Sequence, residues 1–550
     1  MNFNELAELL YPSIKHPPNY YESLYPKRSL PKDAYVTRFA PSPTGFMHLG
    51  VLFGTLTDER LAHQSNGVFY LRIEDTDFKR EVEGGVAEIV SRLQDYNIQY
   101  DEGVDIDGND IGAYGPYRQS LRKEIYQTFA KYLVQQGKAY PCFCDSGRLA
   151  SIREEQNTLK VTPGYYGKWT CCRDLGLPEV QSRVKSSTEF VLRIRSDVSC
   201  EISADEFVFH DELKGIITFR RLSHDEVMLK SNGIPTYHFA HVVDDHLMRT
   251  THVVRDEAWL SSVPYHAELF GALGWEMPKF IHTAQVMKLD GTSKRKLSKR
   301  YDPEAALKFY REAGYPEDAL LEYLMTLLNS NFEEWRLEYP AAHRDEFAFS
   351  VDKMGTSGAL FDLLKLQDIS KTIISKMTAE EVHSAYDKWS KVYDNKFHPL
   401  FARDYGYTLA ILAIGRGGDK PRKDIGKWDE IKDYIDFFFD ELFTIKDNFP
   451  ANVSGTDIEA TLKRYPDLYD QSDNQTGWFA KIRNLATELG FAAETKEYKK
   501  NPDQYKGHVG DISAVLRVAV IGRANSPDMY QVFKILGQER IANRIHAQLP

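Results

Sequence analysis

The chain has 550 residues, of which 42% are hydrophobic and 13% aromatic, and its formal net charge is −11. This length and apolar content predict a globular protein with several packed domains. No apolar run approaches the ~18 to 20 residues that a membrane-spanning helix needs, which argues against a membrane partner. The N-terminus carries acids and prolines where a signal peptide would have a basic end and an apolar core, so we expect a cytoplasmic protein.

Residues 1–34 contain five prolines and a single predicted helical run, at residues 4–10. Nothing in this segment indicates a function. It is therefore interpreted as an N-terminal extension that precedes the first strand.

The next segment combines a buried strand at residues 35–40, a tight turn at 41–45 and a helix at 49–64. A strand that turns into a helix start directs unpaired backbone N–H groups at whatever lies above the sheet, and phosphate is a common occupant. His48 and Gly50 lie at this helix start, where an imidazole can reach a phosphate oxygen and a missing side chain leaves room for a base. This arrangement predicts an ATP site.

A second buried strand at residues 68–73 ends in an acidic cluster, and a helix follows at 86–94. Strands that alternate with helices predict a parallel sheet, whose ligand site lies at the carboxyl ends of the strands. Ser42, His48 and Glu74 all fall at those ends.

Composition changes after a predicted helix that ends near residue 136, and Gly, Cys and aromatic residues become frequent. Residues 115–233 are interpreted as a domain inserted between the halves of the sheet. We expect the sheet to resume with residues 237–248 and 251–255, and a helix to begin at Arg255.

Beyond about residue 286 the pattern predicts helices throughout, including a buried helix at residues 319–329. Thr378 and Glu381 form a predicted capping box at the start of a later helix. A basic loop at residues 289–300 interrupts this region.

Two short motifs resemble the paired signatures of class I aminoacyl-tRNA synthetases: His48-Leu-Gly-Val51 and Lys296-Leu-Ser-Lys299-Arg300. Two further motifs narrow the resemblance to the glutamyl and glutaminyl group: Arg38-Phe-Ala-Pro-Ser-Pro-Thr-Gly and Leu71-Arg-Ile-Glu-Asp-Thr-Asp77. The last third is similar to the helical anticodon-binding region of bacterial-type glutamyl-tRNA synthetases. The resemblance runs from about residue 35 to the end.

The resemblance implies an α/β fold: a Rossmann-like parallel-sheet catalytic domain with an inserted acceptor-end-binding domain, followed by an all-helical anticodon-binding region. The expected domains are an N-terminal extension (1–34), the first half of the catalytic domain (35–114), the insertion (115–233), the second half of the catalytic domain (234–285), a helical stem-contact domain with the basic loop (286–375), and the anticodon-binding domain (376–550).

The implied activity is that of a glutamate–tRNA ligase that uses L-glutamate, ATP with Mg²⁺, and tRNA, with a monomer expected. Whether the tRNA for glutamine is also charged stays open. Two alternatives are kept. A glutaminyl-tRNA synthetase usually carries β-barrel domains after the catalytic half, and a catalytically inactive relative would serve as an RNA-binding module.

The resemblance also assigns roles to individual residues. His48 and Lys299 are the expected catalytic residues. The expected glutamate-binding residues are Arg38, Ser42, Glu74, Tyr237, His241 and Arg255, where His241 occupies a position at which the family often has Asn. The expected ATP-binding residues are Ala40, His48, Gly50, Glu257, Trp259, Lys296, Ser298 and Lys299.

Four of the five cysteines lie between Cys142 and Cys172, which does not make a disulfide framework in a chain of this size. The resemblance suggests zinc ligands at Cys142, Cys144, Tyr166 and Cys172, with Cys171 as an alternative. Buried thiols without a metal are the competing interpretation, and the sequence leaves both open.

The negative net charge argues against a nucleic-acid partner, because phosphate binding draws its affinity from Lys and Arg. Three local stretches, at residues 294–300, 416–427 and 496–506, are basic enough to contact a tRNA backbone. Each is also compatible with an ordinary solvated face.

Overall fold

The computed structural model describes residues 2–45, 47–77, 82–196, 205–221, 224–298 and 300–549. Contacts divide the chain into two compact units. The first unit comprises Met1–Phe309 and Leu321–Asp362, and the second comprises Tyr310–Leu320 and Leu363–Pro550.

All the strands with assigned pairing lie in the first unit. They are β1 (Val36–Phe39), β2 (Val68–Leu71), β3 (Gly103–Val104), β4 (Asp110–Ile111), β5 (Ala139–Cys142), β6 (Val191–Ile194), β7 (Glu206–Asp211), β8 (Gly215–Arg220), β9 (Val227–Leu229), β10 (His252–Asp256), β11 (Lys279–Thr283), β12 (Val286–Asp290), β13 (Ser293–Lys296) and β14 (Ala359–Leu360).

Parallel pairing organises the centre of this unit, as the alternating pattern predicts. β1 pairs with β2, and β10 pairs with β11, which in turn pairs with the end of β7. β1 lies beside β10, because the Thr251 N–H donates to the Val36 carbonyl at 3.0 Å. The carboxyl ends of β1 and β10 therefore meet at one edge of the sheet, and they carry Arg38 and Arg255.

The helices of the first unit and its border are α1 (Phe3–Leu10), α2 (Pro18–Leu24), α3 (Leu49–Gln64), α4 (Gly85–Asp95), α5 (Lys123–Gln135), α6 (Ser146–Leu159), α7 (Leu177–Lys185), α8 (Tyr237–Leu247), α9 (Val263–Leu273), α10 (Leu307–Ala313), α11 (Glu317–Leu328) and α12 (Phe332–Glu338). The predicted strand, turn and helix at residues 35–64 are confirmed, with α3 at the predicted bounds. Most of α3 is buried, as expected of a helix packed on a sheet.

Two predictions of secondary structure in the first unit are wrong. Residues 237–248 were expected to continue the sheet, whereas Tyr237–Leu247 form α8, whose residues are buried on most faces. A short apolar run that is buried all round has the same composition as a buried strand, so periodicity cannot separate the two.

The second wrong prediction is that helices alone follow residue 286. β12 and β13 form an antiparallel hairpin, and β14 pairs with β12. Gly291, with a positive φ of 61°, makes the tight turn of the hairpin after Asp290, which is a common hairpin signal. The basic loop therefore begins on a strand.

The N-terminal segment contains a second helix, α2, in addition to the predicted α1. Arg28 from this segment makes a two-point ion pair with Glu102, at 2.7 and 2.8 Å. Glu22 in α2 accepts from His246 and Arg249, at 2.7 and 2.8 Å. These contacts anchor the extension to the first unit.

The inserted region is built on the antiparallel sheet β5–β6–β9, flanked by α6 and α7. The hairpin β7–β8 lies within the residues expected to form the insertion, yet β7 joins the parallel sheet through Asp211 opposite Phe280. This hairpin therefore brings Asp211 to the sheet that carries Arg255.

The second unit is helical in the part of the chain that the structure describes, in agreement with the prediction. Its helices are α13 (Leu363–Lys376), α14 (Ala379–Tyr393), α15 (His398–Phe401), α16 (Tyr405–Leu412), α17 (Asp429–Ile435), α18 (Gly455–Leu468), α19 (Gln475–Glu488), α20 (Thr495–Lys500), α21 (Val509–Ile521) and α22 (Met529–His546). The capping box of α14 is confirmed, with the Glu381 N–H 3.2 Å from Thr378 Oγ1 and the Thr378 N–H 2.8 Å from Glu381 Oε2.

Helix α22 is kinked at Gly537, whose φ of 79° is outside the helical range and favours glycine. Gln471 satisfies the backbone groups released there. Its Oε1 accepts from the Gln538 N–H at 3.1 Å, and its Nε2 donates to the Lys534 carbonyl at 2.9 Å. A single amide side chain thus replaces helix hydrogen bonds on both sides of the kink.

None of the helices in the described ranges combines the length and apolarity needed to cross a membrane.

The last turn of α3 contains a histidine that contributes to stability in a pH-dependent way. His63 contacts Glu59 Oε1 at 3.0 Å and Asp101 Oδ2 at 3.2 Å, and hydrogen bonds to Asp101 and Glu59 raise its pKa to about 9. A raised pKa means that the stabilisation is complete below the unfolded value of ~6.5 and disappears as pH rises through about 9. The side chain is 27% exposed, so we discount the contribution to about 1 to 2 kcal/mol.

His63→Gln should therefore be less stable than the wild type by about 1 to 2 kcal/mol at pH 6 and nearly equal to it at pH 10. The measurement is the urea unfolding midpoint of both proteins across that pH range. A difference that stays constant from pH 6 to pH 10 would show that the charge on His63 is not responsible.

Candidate functional site

The first element of the site is Arg38, near the end of β1. Its side chain is buried, and it donates from Nε to Asp245 Oδ1 at 3.3 Å and from Nη2 to His241 Nδ1 at 3.4 Å. Burial lowers the pKa of Arg38, but the nearby Asp245 carboxylate outweighs it, and the pKa lies above its usual value. Arg38 therefore stays charged.

Arg72, to which the sequence interpretation gave no role, is the second buried cation of the site. It is fully buried and donates to Asp245 Oδ1 at 2.6 Å and to Glu74 Oε1 at 3.0 Å. Asp245, on α8, therefore pairs with two guanidinium groups at once. Arg72 lies inside the motif at residues 71–77. Its partner Asp245 could be identified only from a correct prediction of the helix at residues 237–247.

Glu74 lies at the end of this chain of charges. Burial raises the pKa of Glu74 to about 7, although Arg72 and Arg38 both act to lower it. A cation that arrives beside Glu74 would favour its charged form. Ser42 lies on the loop after β1, which is held next to this carboxylate because the Glu74 N–H donates to the Pro41 carbonyl at 2.9 Å.

Arg255, on β10, has a different environment from Arg38. It donates from Nε to His282 Nε2 at 2.9 Å and from Nη1 to His266 Nδ1 at 3.2 Å. Its Nη2 is buried without a hydrogen-bond partner among the described residues. Burial lowers the pKa of Arg255 to about 10, with Tyr237 acting in the opposite direction. This guanidinium is therefore desolvated, and Nη2 remains free to donate.

Tyr237 and His241 lie between the two arginines, on α8. Their rings stack at 5.7 Å, and His241 stacks on His266 at 4.6 Å. Burial and the nearby arginines hold the pKa of His241 well below its usual range, so the ring is neutral. Its Nε2 lies 3.3 Å from Asp245 Oδ2, but neither atom forms a hydrogen bond there, so this contact is not an ion pair.

The structure thus brings five of the predicted glutamate-binding residues into one cluster at the edge of the sheet. They are Arg38, Glu74, Tyr237, His241 and Arg255. Ser42 lies on the loop beside them.

His48 and Gly50 lie at the start of α3, as predicted. His48 is the N-cap residue and forms an isolated backbone bridge with Ala306, while Ala40 follows β1. A Cβ at Gly50 would lie 3.3 Å from His48 Nδ1, so glycine keeps the space beside the imidazole open. The helix start can therefore accept a bulky ligand next to His48.

A second wall, beside Tyr237, is formed by the short 3₁₀ helix Glu257–Ser262, which follows β10. Glu257 accepts from Lys214 Nζ at 2.5 Å. Trp259 is 40% exposed, and its ring lies 4.8 Å from that of Tyr237, which joins the predicted nucleotide pocket to the glutamate cluster.

The basic loop is held by Asp302, a residue that the sequence interpretation missed. The buried Asp302 carboxylate accepts from both Nη atoms of Arg295 and from the Ser298 N–H at 2.8 Å. Lys296 Nζ lies 3.5 Å from Asp256 Oδ2, next to the wall formed by Glu257. Lys299, the predicted catalytic lysine, lies outside the described residues.

Three cysteines of the inserted region form a cluster. The Sγ atoms of Cys142, Cys144 and Cys172 lie within 4.8 Å of one another. The tyrosine beside them is Tyr165, whose Oη is 3.4 Å from Cys142 Sγ and 3.3 Å from Cys144 Sγ.

One ligand of the predicted metal site needs correction, and of the two cysteines considered, Cys172 lies in the cluster and its alternative Cys171 does not. The Tyr166 hydroxyl donates to the Thr162 carbonyl at 2.6 Å, so Tyr165 takes the place expected for Tyr166. The exposed Cys171 accepts from Arg148 at 3.4 Å and is not part of the cluster of three thiols. In the extended segment before the 3₁₀ helix Gly167–Trp169, neighbouring side chains point to opposite sides, and the motif spacing could not choose between them.

One basic stretch is largely structural. Arg416 is partly buried and donates to the carbonyls of Leu412 and Ile374, at 2.9 and 2.6 Å, while Arg422 pairs with Asp424 at 2.6 Å. In the stretch at residues 496–506, Lys506 pairs with Asp457 at 2.6 Å. These four partners leave less basic charge for a nucleic acid than the sequence count implies.

Comparisons with known proteins agree with this geometry. Residues 34–340 match the family described as tRNA synthetases class I (E and Q), catalytic domain, and residues 422–549 match the anticodon binding domain. The chain is 51% identical to the glutamate–tRNA ligase of Acetivibrio thermocellus over 100% of both chains. It is 45% identical to the glutamate–tRNA ligase of Clostridium perfringens (strain 13 / Type A), over 99% of this chain and 100% of the relative.

A solved structure has the same fold. The glutamate tRNA ligase from Elizabethkingia meningosepticum, crystallised in complex with its amino acid, matches with a TM-score of 0.75 at 25% identity, over 94% of this chain and 99% of that chain. The arrangement of the sheet, the family match over more than half of the length and the full-length relatives agree. The chain therefore belongs to the class I tRNA synthetases of the glutamate and glutamine group.

Proposed function

We propose that this protein is a glutamate–tRNA ligase, which joins glutamate to AMP from ATP, releases pyrophosphate, and transfers the glutamyl group to the 3′ end of tRNA. The observation that carries the proposal is the buried guanidinium of Arg255, which has no carboxylate partner among the described residues and leaves Nη2 unpaired. A buried cation without a counter-ion is costly, and a bound anion offsets that cost.

Glutamate presents two carboxylates and one ammonium, and the cluster has a group for each. Arg255 binds the side-chain carboxylate, since a guanidinium offers a fork of donors to two oxygens. Arg38 binds the α-carboxylate. Glu74, with Ser42 and Tyr237, receives the ammonium, whose charge favours the ionised form of a carboxyl with a pKa of about 7.

ATP binds at the start of α3, between His48, Gly50 and Ala40 on one side and Glu257 and Trp259 on the other. The α-carboxylate is already a nucleophile, so catalysis consists mainly of positioning and of stabilising the charge that develops on the phosphoryl oxygens.

His48 and Lys299 provide that stabilisation, while Lys296 and Ser298 keep the basic loop at the triphosphate. Mg²⁺ arrives with ATP, because it retains waters and binds through substrate phosphates more readily than in an all-protein cage.

The second unit binds the anticodon, in accord with the match of residues 422–549 to an anticodon binding domain. It is helical, which favours this function over that of a glutaminyl-tRNA synthetase with β-barrel domains. We expect a cytoplasmic monomer that acts in translation. Charging of the tRNA for glutamine depends on a few anticodon contacts.

The test is pyrophosphate exchange with each amino acid in the presence of tRNA, followed by charging of the tRNAs for glutamate and for glutamine. Glutamate-dependent exchange and charging of the glutamate tRNA are the expected results. Exchange with glutamine alone would contradict the proposal, and no exchange with any amino acid would indicate an inactive relative.

We also propose that Cys142, Cys144, Cys172 and Tyr165 bind zinc. Three thiols and a phenol converge within the distances that one ion can bridge, and a structural zinc site closes with four ligands. Bound zinc would hold the loop that carries Cys172 to the end of β5.

Protein purified without chelator should therefore contain about one zinc per chain by elemental analysis. Cys142→Ser should lose most of that zinc, and chelation should lower the unfolding temperature of the wild type, since metal binding is coupled to folding. Cys171→Ser is the matched control, because its thiol lies outside the cluster, and it should retain the metal. Wild-type protein without zinc would reject the site.

A further inference from the structure

The contacts that hold Arg255 form a chain across three neighbouring strands. Arg255 lies on β10, its partner His282 on β11, and Asp211 at the end of β7. We infer that His282, fixed by Asp211, is a positioning residue that directs the Arg255 guanidinium at the side-chain carboxylate of the substrate. The inference rests on the proposed function and extends it to the selection of glutamate over glutamine.

The far end of the chain is rigid. Asp211 Oδ1 accepts from the N–H groups of Leu213 and Lys214, at 3.0 and 2.8 Å, in the turn between β7 and β8. Asp211 Oδ2 lies 2.6 Å from His282 Nδ1 and accepts from the His282 backbone N–H at 3.2 Å. Both Asp211 and His282 are fully buried. The carboxylate is therefore fixed by the backbone on both strands.

These contacts fix the tautomer of His282. A carboxylate only accepts, so Nδ1 must carry the proton that points to Asp211. Nε2 is then unprotonated, and its lone pair accepts a hydrogen bond from Arg255 Nε at 2.9 Å. Orientation of one ring nitrogen by a carboxylate is a common way to fix the function of the other.

The choice of an imidazole has a consequence for the charge of the site. Arg38 and Arg72 each pair directly with the Asp245 carboxylate. Arg255 touches imidazoles at Nε and Nη1, and Asp211 reaches it only through His282. The guanidinium is thus oriented by neutral acceptors while its charge remains available for a ligand.

The remaining contacts of Arg255 restrict it further. Its guanidinium carbon lies 4.7 Å from the centre of the Phe280 ring. His266 Nδ1 accepts a hydrogen bond from Arg255 Nη1. His266 Nε2 is 2.9 Å from His238 Nδ1, so this second imidazole is also held. Nη2 is the donor that these contacts leave for an anion.

A positioning role for His282 predicts different glutamate KM values for two variants of this residue. His282→Gln keeps an acceptor that can reach Arg255 Nε, whereas His282→Phe keeps an aromatic ring and removes both ring nitrogens. We expect His282→Phe to raise the KM for glutamate about tenfold or more, through loss of a hydrogen bond to a charged group. The KM for ATP should change much less, and the ratio of kcat/KM for glutamate to that for glutamine should fall. His282→Gln should recover most of the glutamate KM.

Measurements are steady-state pyrophosphate exchange with glutamate, glutamine and ATP varied in turn, and thermal unfolding of each variant. If His282→Phe does not fold, Asp211→Asn keeps an oxygen for the turn N–H groups but turns an amide donor towards His282 Nδ1, so no carboxylate fixes the tautomer. We then expect a KM increase for glutamate of a few-fold or more, with kcat retained. Folded variants with wild-type KM and an unchanged ratio would overturn the inference. A wild type that exchanges with glutamine and not glutamate would overturn the proposed function as well, so the two failures are distinguishable.

Discussion

Arg255→Gln is expected to lower kcat/KM for glutamate by roughly 30-fold or more, and to lower any residual kcat/KM for glutamine much less. Loss of one partner in a buried, hydrogen-bonded charge pair costs about 2 to 5 kcal/mol, and 1.4 kcal/mol corresponds to tenfold. A neutral amide side chain loses only an ordinary hydrogen bond, about 1 kcal/mol. The ratio of kcat/KM for the two amino acids should therefore fall by about fivefold or more.

The environment of Arg255 is the reason to expect this difference. The guanidinium is desolvated, its pKa is lowered to about 10, and its described partners are imidazoles. No carboxylate of the described residues forms an ion pair with Arg255 that the substitution would break. The effect of the substitution should fall mainly on the substrate.

Arg28→Gln is the matched control. Arg28 is also an arginine of the first unit with a largely covered side chain, but it pairs with Glu102 and fixes the N-terminal segment. Its loss should lower stability and leave the ratio of kcat/KM for glutamate and glutamine unchanged. An unchanged ratio in Arg255→Gln would show that another residue recognises the side-chain carboxylate.

The sequence predicts the parts of this site that lie within short, contiguous sequence motifs. Arg38, His48 and Glu74 stand next to strands and turns with strong local signals, and the structure places them at the expected edge of the sheet. The resemblance also found Arg255 at the end of β10.

The groups that hold these residues could not be found in the same way. Asp245 lies 207 residues from Arg38, and Asp211 lies 71 residues from His282. Such pairs are created by the sheet and by α8, and α8 itself was mistaken for a strand because a short buried helix lacks a polar face. The choice between Tyr165 and Tyr166 likewise depends on which side of an extended segment faces the thiols.

The second large effect is expected at Asp245. Its Oδ1 accepts from Arg72 at 2.6 Å and from Arg38 at 3.3 Å, and all three side chains are buried. Burial alone raises the pKa of Asp245, but Arg38 and Arg72 outweigh it and hold the pKa below its usual value. A depressed pKa means that the stabilisation is present above the unfolded value of ~3.9 and is lost only as pH falls below it. At pH 7 the carboxylate is therefore fully charged.

Asp245→Asn should destabilise the protein by about 3 to 5 kcal/mol at pH 7, because it leaves two buried guanidinium groups without their shared carboxylate. Urea unfolding of both proteins at pH 7 measures the loss. Glutamate activation should fall in the same variant, since Arg38 loses the group that orients it.

Asp58, on α3, is the matched control. It is also buried near Arg38, but its pKa is raised whereas that of Asp245 is lowered. Burial raises the pKa of Asp58 well above its usual range, although Arg38 acts to lower it, and its Oδ1 lacks a hydrogen-bond partner among the described residues. Asp58 is therefore held towards the neutral acid, and an amide of the same shape replaces it with little change in charge. Asp58→Asn should cost less than about 1 kcal/mol. Equal losses in Asp58→Asn and Asp245→Asn would show that charge compensation by Asp245 does not stabilise the two arginines.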